Sequence, residues 1–396
     1  MICKITKKKL TPIMSFGKMP IANGFVNKDN FKTEYFFNME VGFSEDLSLF
    51  QLYEHPKPEI MFNQNYPFFS GSSEYMKLHF KEYANFIKKN YLKSNSKIIE
   101  IGSNDGTMLK NFVDLNENVL GFEPSKNVAT RAASEGVKTL NQFFNHDNVQ
   151  DLKSFIKKTD IIYASNVICH IPDLNDLIKA IDLLLNNDGT FIFEEPYLGS
   201  MFKKVSYDQI YDEHIYMFSL SSIDKIFKHF DFELIEAFPQ ITHGGSMRYI
   251  IKRKGKNKKS SNLINLLDKE KENNIDNAQS SIIFKQNCEK SRDKIHNKIK
   301  ELKIKNKKIC GYAATSKSTT ILNYCKIGPD MIDYICDTTP EKIGKYSPGM
   351  HIPIVSMKHF YENLPDSIYL FAWNHKEEIL KKETNFNGEW FSHVAL

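Results

Sequence analysis

Paired cysteines, a long apolar run and a strong charge of either sign are all missing from this chain of 396 residues. The six cysteines, Cys3, Cys169, Cys288, Cys310, Cys325 and Cys336, are scattered without paired spacing. That excludes a disulfide framework and suits a reducing compartment. No window of about 20 residues is apolar enough to span a membrane, and no start of the signal-peptide type is visible. The expectation is a cytoplasmic protein with no membrane partner. A net charge of +5 excludes a polyelectrolyte that seeks nucleic acid. Basic residues peak at Lys252-Arg-Lys-Gly-Lys-Asn-Lys-Lys259 and again from Lys303 to Lys308. Asp268, Glu270, Glu272, Asp276 and Glu289 lie between the peaks, so this region reads as a mixed-charge solvated face rather than a nucleic-acid patch. No internal repeat with good residue matches is visible.

What is present is ordinary globular material, 41% hydrophobic and 26% charged. Thirty Phe and eighteen Tyr point to aromatic-lined interiors. The length exceeds what one hydrophobic core usually serves, so two or three domains are expected. Residues 1–75 read as a small irregular domain, with turn signals at Phe16-Gly-Lys-Met-Pro20 and Pro56-Lys-Pro58. From Met76 to Leu92 the apolar spacing is helical. Strand candidates follow at Lys97–Ile101, Val119–Phe122, Asp160–Ala164 and Gly189–Phe193, with helical stretches between them. Such alternation predicts βαβ units and a mainly parallel sheet over 76–255. A charged helical linker is expected over 256–300. A second α/β unit is expected over 301–396, with strands at Lys308–Ala313, Met331–Cys336 and Ser367–Ala372.

The most informative stretch is Ile98-Ile-Glu-Ile-Gly-Ser-Asn-Asp-Gly106. Gly102 permits a tight turn off the strand, and Gly106 permits close approach to a ligand. A helix beginning near Thr107 would aim its amides at that ligand. Glu123 ends the next strand about 20 residues on, where a carboxylate takes both hydroxyls of a ribose. Ser103 and Asn104 crowd the position that a dinucleotide fold leaves open for a pyrophosphate. A cofactor without phosphate, S-adenosylmethionine, fits better. The expected fold class is therefore α/β with a Rossmann-like, class I S-adenosylmethionine methyltransferase core and a Rossmann-like C-terminal domain. Its expected cofactor residues are Glu100, Gly102, Ser103, Asn104, Asp105, Gly106, Glu123, Pro124 and Asn166.

Over essentially its full length the sequence resembles the three-domain C-methyltransferases that act on nucleotide-linked keto-deoxysugars. Gly17-Lys-Met-Pro-Ile-Ala-Asn23 resembles their N-terminal signature. Ile99-Glu-Ile-Gly-Ser-Asn-Asp-Gly-Thr107 and Gly121-Phe-Glu-Pro-Ser125 resemble their cofactor site. Tyr207-Asp-Gln-Ile-Tyr-Asp-Glu-His214 and His243-Gly-Gly-Ser246 resemble their catalytic region. Asn323-Tyr-Cys, Pro348-Gly-Met-His-Ile-Pro353 and Ala372-Trp-Asn374 resemble their C-terminal domain. The family's N-terminal domain holds zinc on two Cys-x-x-Cys pairs. Here those positions fall on Cys3, Thr6, Ser44 and Leu47, and structural zinc wants four sulfur or nitrogen ligands. No zinc, and no other metal, is expected.

Carbon methylation requires a carbanion equivalent, which a sugar carbon supplies only beside a carbonyl. His214 is the best base by residue type, because histidine titrates near neutrality. Glu213, Tyr211 and Tyr66 are expected to orient it or to stabilise the enolate oxygen, and the resemblance implicates the same four positions. His170, His243, Gly245 and Lys317 are expected to contact the substrate, Lys317 at its diphosphate. The resemblance implies methylation at C3. The alternative is a sugar O-methyltransferase on a nucleotide sugar, which needs a base but no ketone. A monomer or small homo-oligomer is expected.

Overall fold

The computed structural model describes residues 1–64, 66–255 and 257–396, and the side chains of all of these except 116 and 117. Lys256 of the basic stretch lies outside the described residues.

Three strands form in the segment that its turns mark as irregular: β1 (Thr11–Pro20), β2 (Phe36–Ser44) and β3 (Leu49–Leu52). The cause is a period-two pattern. Phe37, Met39, Val41 and Phe43 alternate along β2 and are buried, facing Phe50 and Leu52. The register of β1 against β2 shifts at Pro12/Met14 and Ser15/Gly17, with Gly17 at φ +77°, so the sequence pattern is broken where the strand bulges.

The central sheet contains β4 (Ile98–Ile101), β5 (Val119–Phe122), β6 (Thr139–Leu140), β7 (Thr159–Ser165) and β8 (Leu185–Pro196). A short β9 (Tyr216–Met217) pairs antiparallel with β3 and so completes the N-terminal sheet as its fourth strand. The central sheet resumes with β10 (Phe232–Gln240) and β11 (Ser246–Arg253), in spatial order β10-β11-β8-β7-β4-β5-β6. Strands β4 to β8 are parallel, and β11 runs antiparallel to β8. The strand order therefore reverses between β4 and β7. In an open α/β sheet the ligand crevice lies at such a reversal, outside the carboxyl ends of the strands.

The helix Glu74–Asn90 flanks this sheet. Ser73 caps it by accepting from Met76 N at 3.3 Å, and it buries Met76, Phe80, Tyr83, Ala84 and Ile87 along one stripe. The segment after the glycine loop does not form the α-helix expected near Thr107. Leu109–Asn118 is a run of 3₁₀ turns. Asn111, Asp114, Asn116 and Asn118 fall within that run. Asn and Asp favour local turns over continuous helix.

The charged linker is two helices, Ser261–Glu272 and Ala278–Ile304. The second packs Phe284 against Phe202 (ring centroids 4.7 Å apart) and Phe50 (6.3 Å). One hydrophobic cluster thus runs from the N-terminal sheet through this helix into the C-terminal unit. That unit is a parallel five-stranded sheet of β12 (Ile309–Tyr312), β13 (Tyr334–Asp337), β14 (Ile354–Ser356), β15 (Ser367–Leu370) and β16 (Glu389–Phe391), in order β14-β13-β12-β15-β16. β13 starts at Tyr334, three residues later than Met331, because Gly328–Met331 closes as a turn. The basic stretch is paired: Lys254 with Asp231 at 3.8 Å, Lys259 with Asp224 at 2.7 Å, and Arg253 with Asp182. Among the described residues no helix is long and apolar enough to cross a membrane. All six cysteines are free and buried.

Candidate functional site

The turn off β4 lies at the reversal of strand order. Gly102 sits at φ +66°, and a Cβ there would stand 2.5 Å from Val167 Cγ2. Only glycine meets both demands without strain. Gly106 sits at φ +75°, but its absent Cβ leaves room for Val137 rather than for a ligand. Asn104, at φ +49°, gives its backbone N–H to Glu123 Oε2 at 3.1 Å, and Ser125 N donates to Glu123 Oε1 at 2.7 Å. Glu123 thereby ties the end of β5 to the loop, and each oxygen keeps a second lone pair for a ribose hydroxyl. Pro124 follows it, half-buried, with its carbonyl accepting from Asn141 Nδ2 at 2.8 Å. Ser103 Oγ is buried without a partner.

Residues 68–71 close over this loop. Asn104 Oδ1 accepts from Ser70 N at 2.8 Å, and Asp105 Oδ2 accepts from Gly71 N at 2.8 Å. Glu100 does not face the crevice. It is buried in β4, where its Oε2 accepts from Tyr163 OH at 3.0 Å, and burial pushes its carboxyl well above the ordinary range. It supports the loop from beneath. Asn166 ends β7 at φ +55°, with Oδ1 buried and unpartnered and Nδ2 donating to His243 Nε2 at 2.7 Å. Glycines at positive φ, an orphaned amide oxygen and a carboxylate at the end of β5 fit S-adenosylmethionine, which brings an amino-acid end and a ribose to such a rim.

Tyr211, Glu213 and His214 lie beyond the rim, in the turn between the short helix Leu198–Lys204 and β9; Glu213 and His214 are buried and Tyr211 is half-buried. His214 Nδ1 lies 2.7 Å from the carbonyl oxygen of Gln209. A carbonyl only accepts, so Nδ1 carries the proton and Nε2 the lone pair. That lone pair accepts from Tyr211 OH at 2.7 Å. Burial, with His170 beside it, holds His214 well below the usual histidine range and therefore neutral. Tyr66 reaches in from the segment before the helix Glu74–Asn90, and its OH donates to Glu213 Oε2 at 3.2 Å. Burial pushes Glu213 up to about 7, against the pull of hydrogen bonds from Asn23 and Tyr66. The ring of His170 stacks between Phe62 (5.7 Å) and His214 (5.2 Å). Its Nε2 is buried without a partner, and burial lowers it to about 4.

Cys169, His170 and His214 bring ligand atoms within 4.8 Å of one another. Both nitrogens of His214 are already engaged, and burial together with Glu195 holds the Cys169 thiol protonated, so the trio as it stands does not fit a metal ion. Glu195 is itself a support that the sequence did not flag. Its Oε1 accepts from the backbone of Val167, Ile168 and Cys169 at 3.0, 2.6 and 3.3 Å, fixing the turn that carries His170.

Gly245 does not open onto the cluster. At φ +123° its absent Cβ makes way for Ser200. His243, at φ +52°, and Gly244 pack at the rim, where a Cβ on Gly244 would strike Trp373. Lys317 lies across the cleft in the C-terminal unit, 3.4 Å from Asn374 Oδ1 and 5.1 Å from the centre of the Trp373 ring. Lys204 flanks the same ring at 5.8 Å. Two ammonium groups thus stand near one indole, that of Lys204 also donating to the Gly244 carbonyl. Two further groups escaped the sequence reading. Asp208 sits inside a quoted motif, and His393 near the C-terminus carries no local signal at all.

The zinc positions carry one thiol. Cys3 Sγ accepts from Gln51 Nε2 at 3.3 Å, and Leu47 packs in the hydrophobic core. Thr6, Ser44 and Leu47 cannot complete a tetrahedral set with it.

Comparison with known proteins matches three families in order along the chain. Residues 3–62 match one described as "Putative zinc binding domain", residues 74–237 one described as "Methyltransferase domain", and residues 241–394 one described as "C-methyltransferase C-terminal domain". The C-methyltransferase NovU of Streptomyces niveus is 27% identical over 384 residues, covering 96% of this chain and 91% of that protein. A tRNA U34 carboxymethyltransferase of Campylobacter jejuni is 28% identical over 127 residues, but the match spans only 43% of that protein. Among solved structures, an S-adenosylmethionine-dependent methyltransferase from Clostridium acetobutylicum aligns over 47% of this chain and 94% of its own at 15% identity, with a TM-score of 0.35. Magnesium protoporphyrin IX methyltransferase from Synechocystis, with bound SAH, aligns over 45% of this chain and 83% of its own at 14% identity and a TM-score of 0.34. With three matched segments in this order and a relative of the same extent, the chain is an S-adenosylmethionine-dependent methyltransferase that is similar along its length to C-methyltransferases.

Proposed function

We propose that the chain methylates a ring carbon, C3 by default, of a nucleotide-linked keto-deoxysugar in the cytoplasm. The observation that carries this reading is the run Tyr211–His214–Gln209, which fixes the histidine tautomer and presents a buried, neutral base. Carbon acids are weak, and a base already desolvated and oriented loses nothing to solvent at the moment of reaction.

S-adenosylmethionine, when bound, supplies an electrophilic sulfonium methyl. Gly102, Ser103, Asn104, Glu123, Pro124 and Asn166 hold it, while Glu100, Asp105 and Gly106 shape the loop. His214, through Tyr211, takes the proton alpha to the ketone. Tyr66 and Tyr211 each have one O–H proton: that of Tyr211 passes to His214 Nε2 as the Tyr211 oxygen takes the substrate proton, and that of Tyr66 swings from Glu213 to the oxygen on which enolate charge develops. Ionised Glu213 holds Tyr66 in place. His170 offers its free Nε2 to the sugar, with His243 at the rim. Lys317, with Lys204 beside it, takes the diphosphate. Gly245 serves by admitting Ser200 beneath the rim.

We further propose that residues 1–75, 76–255, 256–300 and 301–396 are the functional divisions, and that the first of them is held without zinc by aromatic and aliphatic packing. The chain acts on no nucleic acid, its basic stretch being paired with acids.

Wild-type enzyme and His214→Asn are incubated with S-adenosylmethionine and a panel of nucleotide-4-keto-6-deoxysugars. Products are read by mass spectrometry and NMR. A methyl on a ring carbon, formed about 10²–10⁴-fold more slowly by the variant, supports the proposal. A methyl on oxygen, or no transfer to any keto-sugar, defeats it.

A further inference from the structure

We infer that Asn23 is a positioning residue for methyl transfer, the point at which the N-terminal domain and the C-terminal unit together hold Glu213 in the reacting cluster. The inference rests on the reading of Glu213 given above.

Asn23 ends the N-terminal signature Gly17-Lys-Met-Pro-Ile-Ala-Asn23. Its Nδ2 donates to Glu213 Oε1 at 2.7 Å, and its Oδ1 accepts from Ser316 Oγ at 3.1 Å. These partners lie 190 and 293 residues away, one in the catalytic turn and the other at the start of the helix Ser316–Tyr324. The preceding residue doubles the link. Ala22 N donates to Asp212 Oδ1 at 2.9 Å, and Ala22 O accepts from Thr319 Oγ1 at 2.8 Å. A two-residue stretch of the N-terminal domain is thus clamped between the catalytic carboxylates and the C-terminal helix.

The residue type follows from the partners. A carboxylate accepts and cannot donate, so the NH₂ end of the amide must face Glu213. The oxygen end then faces outward and receives the Ser316 hydroxyl. Both ends of the amide are used, and only in this direction. Aspartate in its place would set a further carboxylate against Glu213 and Asp212.

Glu213 is faced by Asn23, by the Tyr66 and Tyr211 hydroxyls, by Asp212 and by the Cys169 thiol. Asp212 and burial both favour the protonated acid, whereas the donors Asn23 and Tyr66 favour the carboxylate. Tyr66 is held as a donor only while Glu213 is ionised. Removing the Asn23 donor therefore has a sign: protonation of Glu213 moves to higher pH, and the acid limb of activity moves with it. A lost hydrogen bond to a charged group corresponds to a shift of about one pH unit or more.

The test uses the full chain as wild type, Asn23→Ala, Asn23→Asp, Ser316→Ala, Glu213→Gln and the double variant N23A/E213Q. Two profiles are taken across neutral pH: kcat/KM with a keto-sugar nucleotide that the wild type methylates, and the unfolding temperature, which needs no substrate. In Asn23→Ala the acid limb moves to higher pH, and the fall in unfolding temperature on raising the pH steepens. Both effects disappear in the Glu213→Gln background. Asn23→Asp, which keeps the side-chain volume and serves if the alanine variant does not fold, shows the larger shift. Ser316→Ala leaves the limb nearly in place, because the carboxylate still orients the amide. A loss of stability and rate that is uniform in pH and persists in the Glu213→Gln background overturns the inference, since it marks a docking contact alone. A Glu213→Gln enzyme with wild-type kcat/KM sinks the catalytic reading of Glu213. The unfolding profile of Asn23→Ala still decides whether the amide governs that carboxylate.

Discussion

The indole Nε1 of Trp373 donates to Asp208 Oδ2 at 2.7 Å, so the C-terminal unit grips the turn that carries the catalytic cluster. The other carboxylate oxygen of Asp208 lies 3.0 Å from His393 Nε2, and neither side chain is exposed to solvent. Tyr369 OH lies 3.0 Å from the remaining ring nitrogen of His393. Burial would raise the Asp208 carboxyl, but His393, Lys317 and the Trp373 N–H bring it below its ordinary value. Three residues before the end of the chain, a histidine thus steadies a carboxylate six residues from the base.

His393→Ala leaves that carboxylate buried and half-supported. Removing one partner of a buried pair costs about 3–5 kcal/mol, so the unfolding temperature should fall by several degrees or more. Asp208→Asn, which removes the charge and keeps the donor to oxygen, should cost less. Differential scanning calorimetry ranks the two, and the reverse order would refute the ion-pair reading.

Tyr211→Phe deletes the hydroxyl that caps His214 Nε2 while leaving the ring in place. Loss of the group that relays the substrate proton to His214 is a loss of general-base help, typically about 10²–10⁴ in rate, and a fall in kcat of that order is expected here. Because the residue does not touch the cofactor rim, calorimetric affinity for S-adenosylmethionine should stay within about twofold. A rate unaffected by the change would remove Tyr211 from the mechanism.

Glu213 predicts a conflict between stability and activity. Its folded value, about 7, lies above the ordinary carboxyl value, so the stability that it contributes is present at low pH and lost as pH rises through 7. Glu213→Gln should be less active at every pH, yet its advantage in unfolding temperature should grow from about pH 4.5 to about pH 7 and level off above that. Parallel wild-type and variant curves would count against a buried, ionisable Glu213.

These relationships differ in how far they could be read from the residues alone. β4, β5, β7 and the glycine turn were visible because buried parallel strands are short unbroken apolar runs bounded by turn signals. His214 and its neighbours were visible because four chemically active residue types fall within one octet. The N-terminal strands were not, since bulges at Met14 and Gly17 break their alternation. The 3₁₀ run after the loop was missed because Leu109, Phe112 and Val113 keep an apolar spacing that mimics an α-helix. Asn23 and His393 act through partners more than 180 residues distant, and no local pattern encodes such a contact. Glu100 and Gly106 were singled out from the strand-turn motif, and the neighbours that they meet, Tyr163 and Val137, lie too far along the chain to be read from it.

The N-terminal sheet gives a further expectation. With Cys3 alone among the four zinc positions, purified protein should contain well under one equivalent of zinc, and a chelator should leave its unfolding temperature unchanged. Elemental analysis and a melt with EDTA decide this. Stoichiometric zinc whose removal lowers the melt would show that other residues bind it.

β3 ends its sheet by pairing with β9, Phe50 opposite Met217 and Gln51 opposite Tyr216, and β9 begins two residues after His214. The N-terminal part is therefore stitched by main-chain hydrogen bonds into the segment that carries the base. It is not a detachable cassette. A chimera joined near residue 75 would replace three of the four strands of a shared sheet, and the mismatch would be felt at the base. Any change to one part is thus transmitted to the other through the backbone, and the two must be altered as one unit.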